Sequence, residues 1–130
     1  MQHLDPPAAQ AFLQQDKQAV LLDCRSETEF MYVGHAVVAE HVAWQDGPDW
    51  DIDLDFVRKV RRLVKDDLAR PVLVICRSGT RSLVAGEALE KAGSSQIINV
   101  LEGFDGPLDD HFHRSTQGGW RFRGLPWQQS

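Results

Sequence analysis

The chain has 130 residues, 42% hydrophobic and 25% charged, which is the size and mix of one compact domain, expected here over residues 1–130 and able to bury a core without a disulfide or metal staple. Fourteen Lys and Arg against nineteen Asp and Glu give a net charge of −5, which argues against a broad nucleic-acid surface. No apolar run nears the ~20 residues of a membrane span, the first residues lack a basic start with an apolar core, and the two cysteines, Cys24 and Cys76, form no CxxC pair; together these point to a cytoplasmic protein with free thiols and no membrane partner.

Asp5 before Pro6 and Pro7 is a helix start, an N-cap acceptor followed by proline in the first turn. The helix is expected to reach Gln15, with Phe12 and Leu13 turned inward. Ala19-Val20-Leu21-Leu22-Asp23 is a short apolar run, the mark of a strand buried on both faces. Ser26 and Glu29 fit a capping box, so a short helix should run to Tyr32 and stop at Gly34. Val37, Val38, Ala39 and Val42 suggest a further extended segment. Gln45-Asp46-Gly47-Pro48-Asp49 is turn chemistry.

Leu54, Val57, Val60, Leu63, Val64 and Leu68 recur at helical spacing and predict a helix over Asp53 to Leu68. Its basic residues, Arg58 to Lys65, read as a solvated face. Pro71-Val72-Leu73-Val74-Ile75 is the strongest strand signal. Thr80 to Ala92 predicts a helix ended by Gly93, and Ile97-Ile98-Asn99-Val100 a further buried strand. From Leu101 onward the chain is rich in Gly and aromatic residues, with a short helix expected at Leu108–His113. His111 and His113 read as part of a polar loop rather than as a metal pair. Strands alternating with helices imply an α/β domain with a mainly parallel sheet.

The chemistry concentrates in Cys76-Arg77-Ser78-Gly79-Thr80-Arg81-Ser82. A buried strand carries a cysteine to its carboxyl end, a glycine turn follows, and a helix begins. Ligands of open α/β sheets bind at that edge. Amides of such a loop, reinforced by the helix N-terminus, form a concave anion site. A thiolate is the nucleophilic form of cysteine, and helix N-termini and guanidiniums favour it. Arg77 and Arg81 supply two guanidiniums, and Arg81 is placed to fold back and grip an anion with its planar fork. Ser78, Thr80 and Ser82 offer hydroxyl donors. Cys24 also ends a strand but lacks a glycine loop after it, and reads as packing.

These motifs resemble those of the single-domain rhodaneses, a sulfurtransferase family. Leu22-Asp23-Cys24-Arg25 with Glu29-Phe30 resembles the family's L-D-x-R-x-x-x-E-[FY] segment, and Gly34-His35 its G-H. Cys76 to Ser82 is similar to the active-site loop; Leu101-Glu102-Gly103-Phe104 and Gly124-Leu125-Pro126-Trp127 resemble the closing segments. Ala36-Val37-Val38-Ala39 departs from the family's I-P-G-A. The resemblance implies a mainly parallel sheet of about five strands with helices on both faces. It implies Cys76 as the persulfide-carrying nucleophile, held by residues 77–82, with no metal or cofactor. The expected partners are a small sulfur donor such as thiosulfate and a thiol, protein or cyanide-type acceptor. Asp23, Arg25 and His35 are implied as structural support, and Asp109 to Gly119 as part of the rim over the site. Two alternatives stand beside this reading: a small cysteine-based phosphatase, or a non-catalytic binding module. Tyrosine phosphatases place five residues between Cys and Arg; here there are four, a tighter loop that suits one sulfur better than a phosphoryl group.

Overall fold

The apolar runs at Val20–Asp23, Val72–Ile75 and Ile97–Val100 become strands of one parallel sheet, whereas Val37 and Val38 lie in an exposed turn. The computed structural model describes residues 1–130. In chain order its elements are β1 (Gln2–Leu4), α1 (Pro6–Gln15), β2 (Val20–Asp23), a π-helical turn (Glu29–Val33), β3 (His35–Ala36), β4 (Glu40–His41), β5 (Gln45–Asp46), β6 (Asp51–Ile52), α2 (Phe56–Leu63), β7 (Val72–Ile75), α3 (Thr80–Lys91), β8 (Ile97–Val100) and β9 (Trp127–Gln128). The main sheet has the order β1-β8-β7-β2-β4, every neighbouring pair parallel. β3 pairs antiparallel with β9, and β5 with β6. No helix is long and apolar enough to cross a membrane.

Side chains alternate across a strand, and this divides the core in two. Val20, Leu22 and Cys24 of the β2 segment share one face with Val72, Val74 and Cys76, under Phe56 and Val60 of α2 and Ala85 and Leu89 of α3. Leu21, Leu73 and Ile75 face the other way, onto Ala9 of α1 and onto Phe104 and Trp120. Helices cover both faces, as expected. Asp5 caps α1, its Oδ1 accepting from the Ala8 N–H at 2.9 Å.

Four further expectations change. The edge strand β1 was not foreseen, because Gln2-His3 is polar and gains strand geometry only by pairing with β8. α2 is shorter than Asp53–Leu68: Asp53 lies before it, accepting from the Asp55 N–H, and Leu54 is 96% exposed rather than in the core. At its other end Lys65 and Asp66 take positive φ, which stops the helix. No helix forms at Leu108–His113, because the Asp109 carboxylate accepts from the His111 and His113 N–H groups and folds the segment into turns. The capping box is present, but it opens a π-helical turn.

Candidate active site

β7 is buried along its whole length and delivers Cys76, itself only 1% exposed, to its carboxyl end. The chain must reverse at once to start α3. Gly79 does so at φ +104°, a conformation that glycine takes at little cost. The turn places the Gly79 N–H 3.2 Å from Cys76 Sγ. On the helix side the Cys76 thiol donates to Ser82 Oγ at 3.2 Å, and Ser82 donates to Asn99 Oδ1 of β8 at 2.6 Å. The sulfur therefore sits at the positive end of a 12-residue helix, touched by one amide and one buried hydroxyl.

The segment 103–106 fixes the loop from behind. Phe104 N–H donates to Cys76 O, and Asp105 and Gly106 N–H donate to Arg77 O, at 2.8, 3.0 and 3.2 Å. Gly103 permits that approach: a Cβ there would lie 2.5 Å from Cys76 O, and its φ is +65°. The glycine of the Leu101–Phe104 motif is thus explained by backbone contact with the cysteine loop.

Of the loop side chains, Arg77, Ser78 and Thr80 are exposed and Ser82 is buried. Arg81 is half-buried and lies on the same rim as Arg77. Its fork is filled by the Glu29 carboxylate in a bidentate pair at 2.7 and 2.9 Å. Burial alone would raise the Glu29 carboxyl; the Arg81 hydrogen bonds and charge, with Ser26, outweigh it and hold the group at about 2. Glu29 entered the sequence reading as a cap and as part of the L-D-x-R-x-x-x-E-[FY] segment, but not as the partner of Arg81. Its partner lies 52 residues away, so local spacing carried no signal.

A depression of about 560 Å³ opens beside the loop, with Arg77, Arg81, Glu29, Trp50 and Asp105 on its rim. Burial raises the Asp105 carboxyl, with the Arg121 charge opposing. Residues 109–119 do not line this opening; Ser115 N–H and Arg114 bind the backbone of Asp105 and Gly106 instead. Trp50, from the β5–β6 hairpin, takes the rim position expected of that segment. A larger depression of about 690 Å³ lies along the hairpin near His41 and Lys59, but no cysteine or serine lines it. No group of three or more His, Cys, Asp or Glu side chains is arranged to hold a metal ion.

Asp23, Arg25 and His35 form the neighbouring strand end. Arg25 and Asp23 are fully buried and pair through Nη2–Oδ2 at 2.7 Å and Nε–Oδ1 at 3.0 Å. Arg25 Nη2 also donates to Gly34 O at 2.6 Å, and the guanidinium lies over the Phe104 ring at 4.6 Å. His35 stacks on Phe30 with centroids 3.8 Å apart. Its Nδ1 must donate to the Phe30 carbonyl at 2.7 Å, which leaves Nε2 to accept from Gln128. These three side chains join β2, the π-helical turn and the C-terminal segment.

Residues 6–107 match the family described as rhodanese-like domain. Among solved structures, the Rv0390 protein of M. tuberculosis is 36% identical, with a TM-score of 0.89 over 100% of this chain and 98% of its own. The thiosulfate sulfurtransferase GlpE of Vibrio cholerae is 32% identical over 79% of this chain and 84% of its own. The RC0915 protein of Rickettsia conorii is 28% identical over 98% of both.

Proposed function

The chain belongs to the rhodanese-like family, and from that premise we propose that it carries sulfane sulfur as a persulfide on Cys76, from thiosulfate or a similar donor to a thiol, protein or cyanide-type acceptor. The observation that carries this reading is the Gly79 N–H aimed at Cys76 Sγ where α3 begins. That arrangement favours negative charge on sulfur before and after loading.

In the first half-reaction Cys76 Sγ attacks the outer sulfur of thiosulfate. The sulfur–sulfur bond of the donor breaks, and sulfite leaves with the electron pair. In the second, the acceptor attacks the terminal sulfur and the Cys76 thiolate returns. This is covalent, two-stage catalysis. The Gly79 amide, the Ser82 hydroxyl and the helix end stabilise the charge in place, without reorganisation. Exposed Arg77 draws the anionic donor toward the opening, while Arg81, held by Glu29, keeps the rim rigid. The similarity to the Vibrio cholerae thiosulfate sulfurtransferase supports the choice of donor.

Intact-mass spectrometry after incubation with thiosulfate tests the reading. The wild type should gain one sulfur atom and lose it to cyanide; Cys76→Ser should gain none. Robust hydrolysis of an aryl phosphate by the wild type, lost in Cys76→Ser, would overturn the proposal in favour of a phosphatase.

A further inference from the structure

The sheet brings the second cysteine to the first. β2 and β7 run parallel with Asp23 level with Ile75, and the ladder continues one step to the Cys24 N–H, which donates to Ile75 O at 3.0 Å. Cys24 and Cys76 therefore stand side by side at the carboxyl ends of adjacent strands. Their side chains point to the same face, within one core cluster that also holds Phe56 and Ala85. Both are free thiols, and Cys24 is wholly buried. Neighbouring strands lie about 4.8 Å apart, inside the span of roughly 4.4–6.8 Å between Cα atoms that a disulfide accepts. The proposed sulfur transfer makes no use of Cys24.

Resting on the proposed function, we infer that Cys24 is a resolving thiol, which converts the Cys76 persulfide into a Cys24–Cys76 disulfide and releases the carried sulfur as hydrosulfide. Cys24 Sγ attacks Cys76 Sγ. The bond between Cys76 Sγ and its terminal sulfur breaks, and the electron pair leaves with that sulfur. The proton of the Cys24 thiol goes to the departing sulfur. A persulfide anion and a thiol thus become a disulfide and a hydrosulfide ion. An external dithiol, of a small molecule or a protein, then reduces the disulfide, is itself oxidised to a disulfide, and restores both cysteines. The full cycle turns thiosulfate and a dithiol into sulfite, hydrogen sulfide and an oxidised dithiol.

Two features suit Cys24 to this step. Burial first, then the charges of Cys76 and Asp23, push its thiol well above the ordinary range. It therefore holds its proton until the persulfide is there to receive it. It is also wholly buried beside Cys76, so no outside thiol competes with it there, and released sulfide has the nearby opening rimmed by Arg77 and Arg81 as its exit.

The test loads reduced wild type with one equivalent of thiosulfate, removes excess donor and quenches samples in acid over time. Non-reducing intact mass should first show the gain of one sulfur atom, then fall to two hydrogens below the starting mass. One equivalent of sulfide should appear with no added thiol, and a peptide map should join Cys24 to Cys76. Cys24→Ala should keep the added sulfur. A wild type that holds its sulfur undiminished and releases no sulfide would overturn the inference while leaving sulfur transfer intact. A second arm needs no sulfur donor: diamide oxidation of the reduced wild type should give the same joined peptide. Its absence in both arms would overturn the pairing on geometric grounds; failure to load with a disulfide formed by diamide would sink the sulfur-transfer reading and this step with it.

Discussion

Two neighbouring strands end in the same chemical group and do different things with it. β2 and β7 each carry a cysteine to the carboxyl edge of the sheet, level with one another just beyond the Asp23–Ile75 pair. After Cys24 comes Arg25, whose guanidinium turns back onto Asp23 and Gly34 O and closes the strand end with buried hydrogen bonds. After Cys76 comes a glycine turn with exposed Arg77, Ser78 and Thr80, which leaves the strand end facing an opening. The lesson is that the segment after the strand, not the cysteine, decides whether the edge is closed or accessible. An ion pair with every carboxylate oxygen satisfied makes a joint; a left-handed glycine at a helix start makes a cradle.

The sharpest way to break this comparison is to undo the closed end. Arg25→Ala strands a fully buried Asp23 carboxylate, and should cost about 3–5 kcal/mol of stability. Urea unfolding measures it. A loss below about 1 kcal/mol would mean that the ion pair does not hold the β2 end.

A smaller effect is expected at the open end. Arg81→Ala leaves Glu29 half-buried without its fork, and should lower stability by about 2 kcal/mol. It should also slow thiosulfate loading by loosening the rim. Arg81→Lys should recover the charge but only part of the rate, because an ammonium cannot form the bidentate pair. Equal rates for wild type and both variants would remove the Glu29–Arg81 clamp from the site.

The smallest effect is the pH dependence of that clamp. Glu29 is held at about 2 against an ordinary 4.5. Its folded-state value is depressed, so its contribution is complete above the ordinary carboxylate range and is lost as pH falls from about 4.5 through about 2. The stability difference between wild type and Glu29→Gln should stay constant from neutral pH down to about 5, then shrink on further acidification. Denaturant melts at a series of pH values would show it; a difference that grows on acidification contradicts the assignment.

Much of this architecture was legible in the residues because it is local. Four-residue apolar runs such as Val72–Ile75 can only be buried strands in a chain of this composition, and Asp5 with Pro6 and Pro7 announces a helix start whatever packs on it. The Cys76–Ser82 loop was legible for the same reason: strand, cysteine, glycine and helix are contiguous. What was missed is non-local. β1 becomes a strand only through β8, with Gln2 level with Ile98. Trp50 and Asp105 reach the rim from segments that carry no motif for it.

The amino-acid sequence by itself determined the α/β class, the nucleophile candidate and the turn that presents it, since each follows from backbone preferences within about a dozen residues. Only the tertiary structure decided which charges and which sulfurs meet. Arg81 meets Glu29, and Cys24 stands beside Cys76, each across 52 residues of chain, from 29 to 81 and from 24 to 76. The physical reason is the parallel register of β2 with β7: it is set by burying Leu22 and Val74 on one face and Leu21 and Leu73 on the other, and the two strand ends follow wherever that hydrophobic alignment puts them.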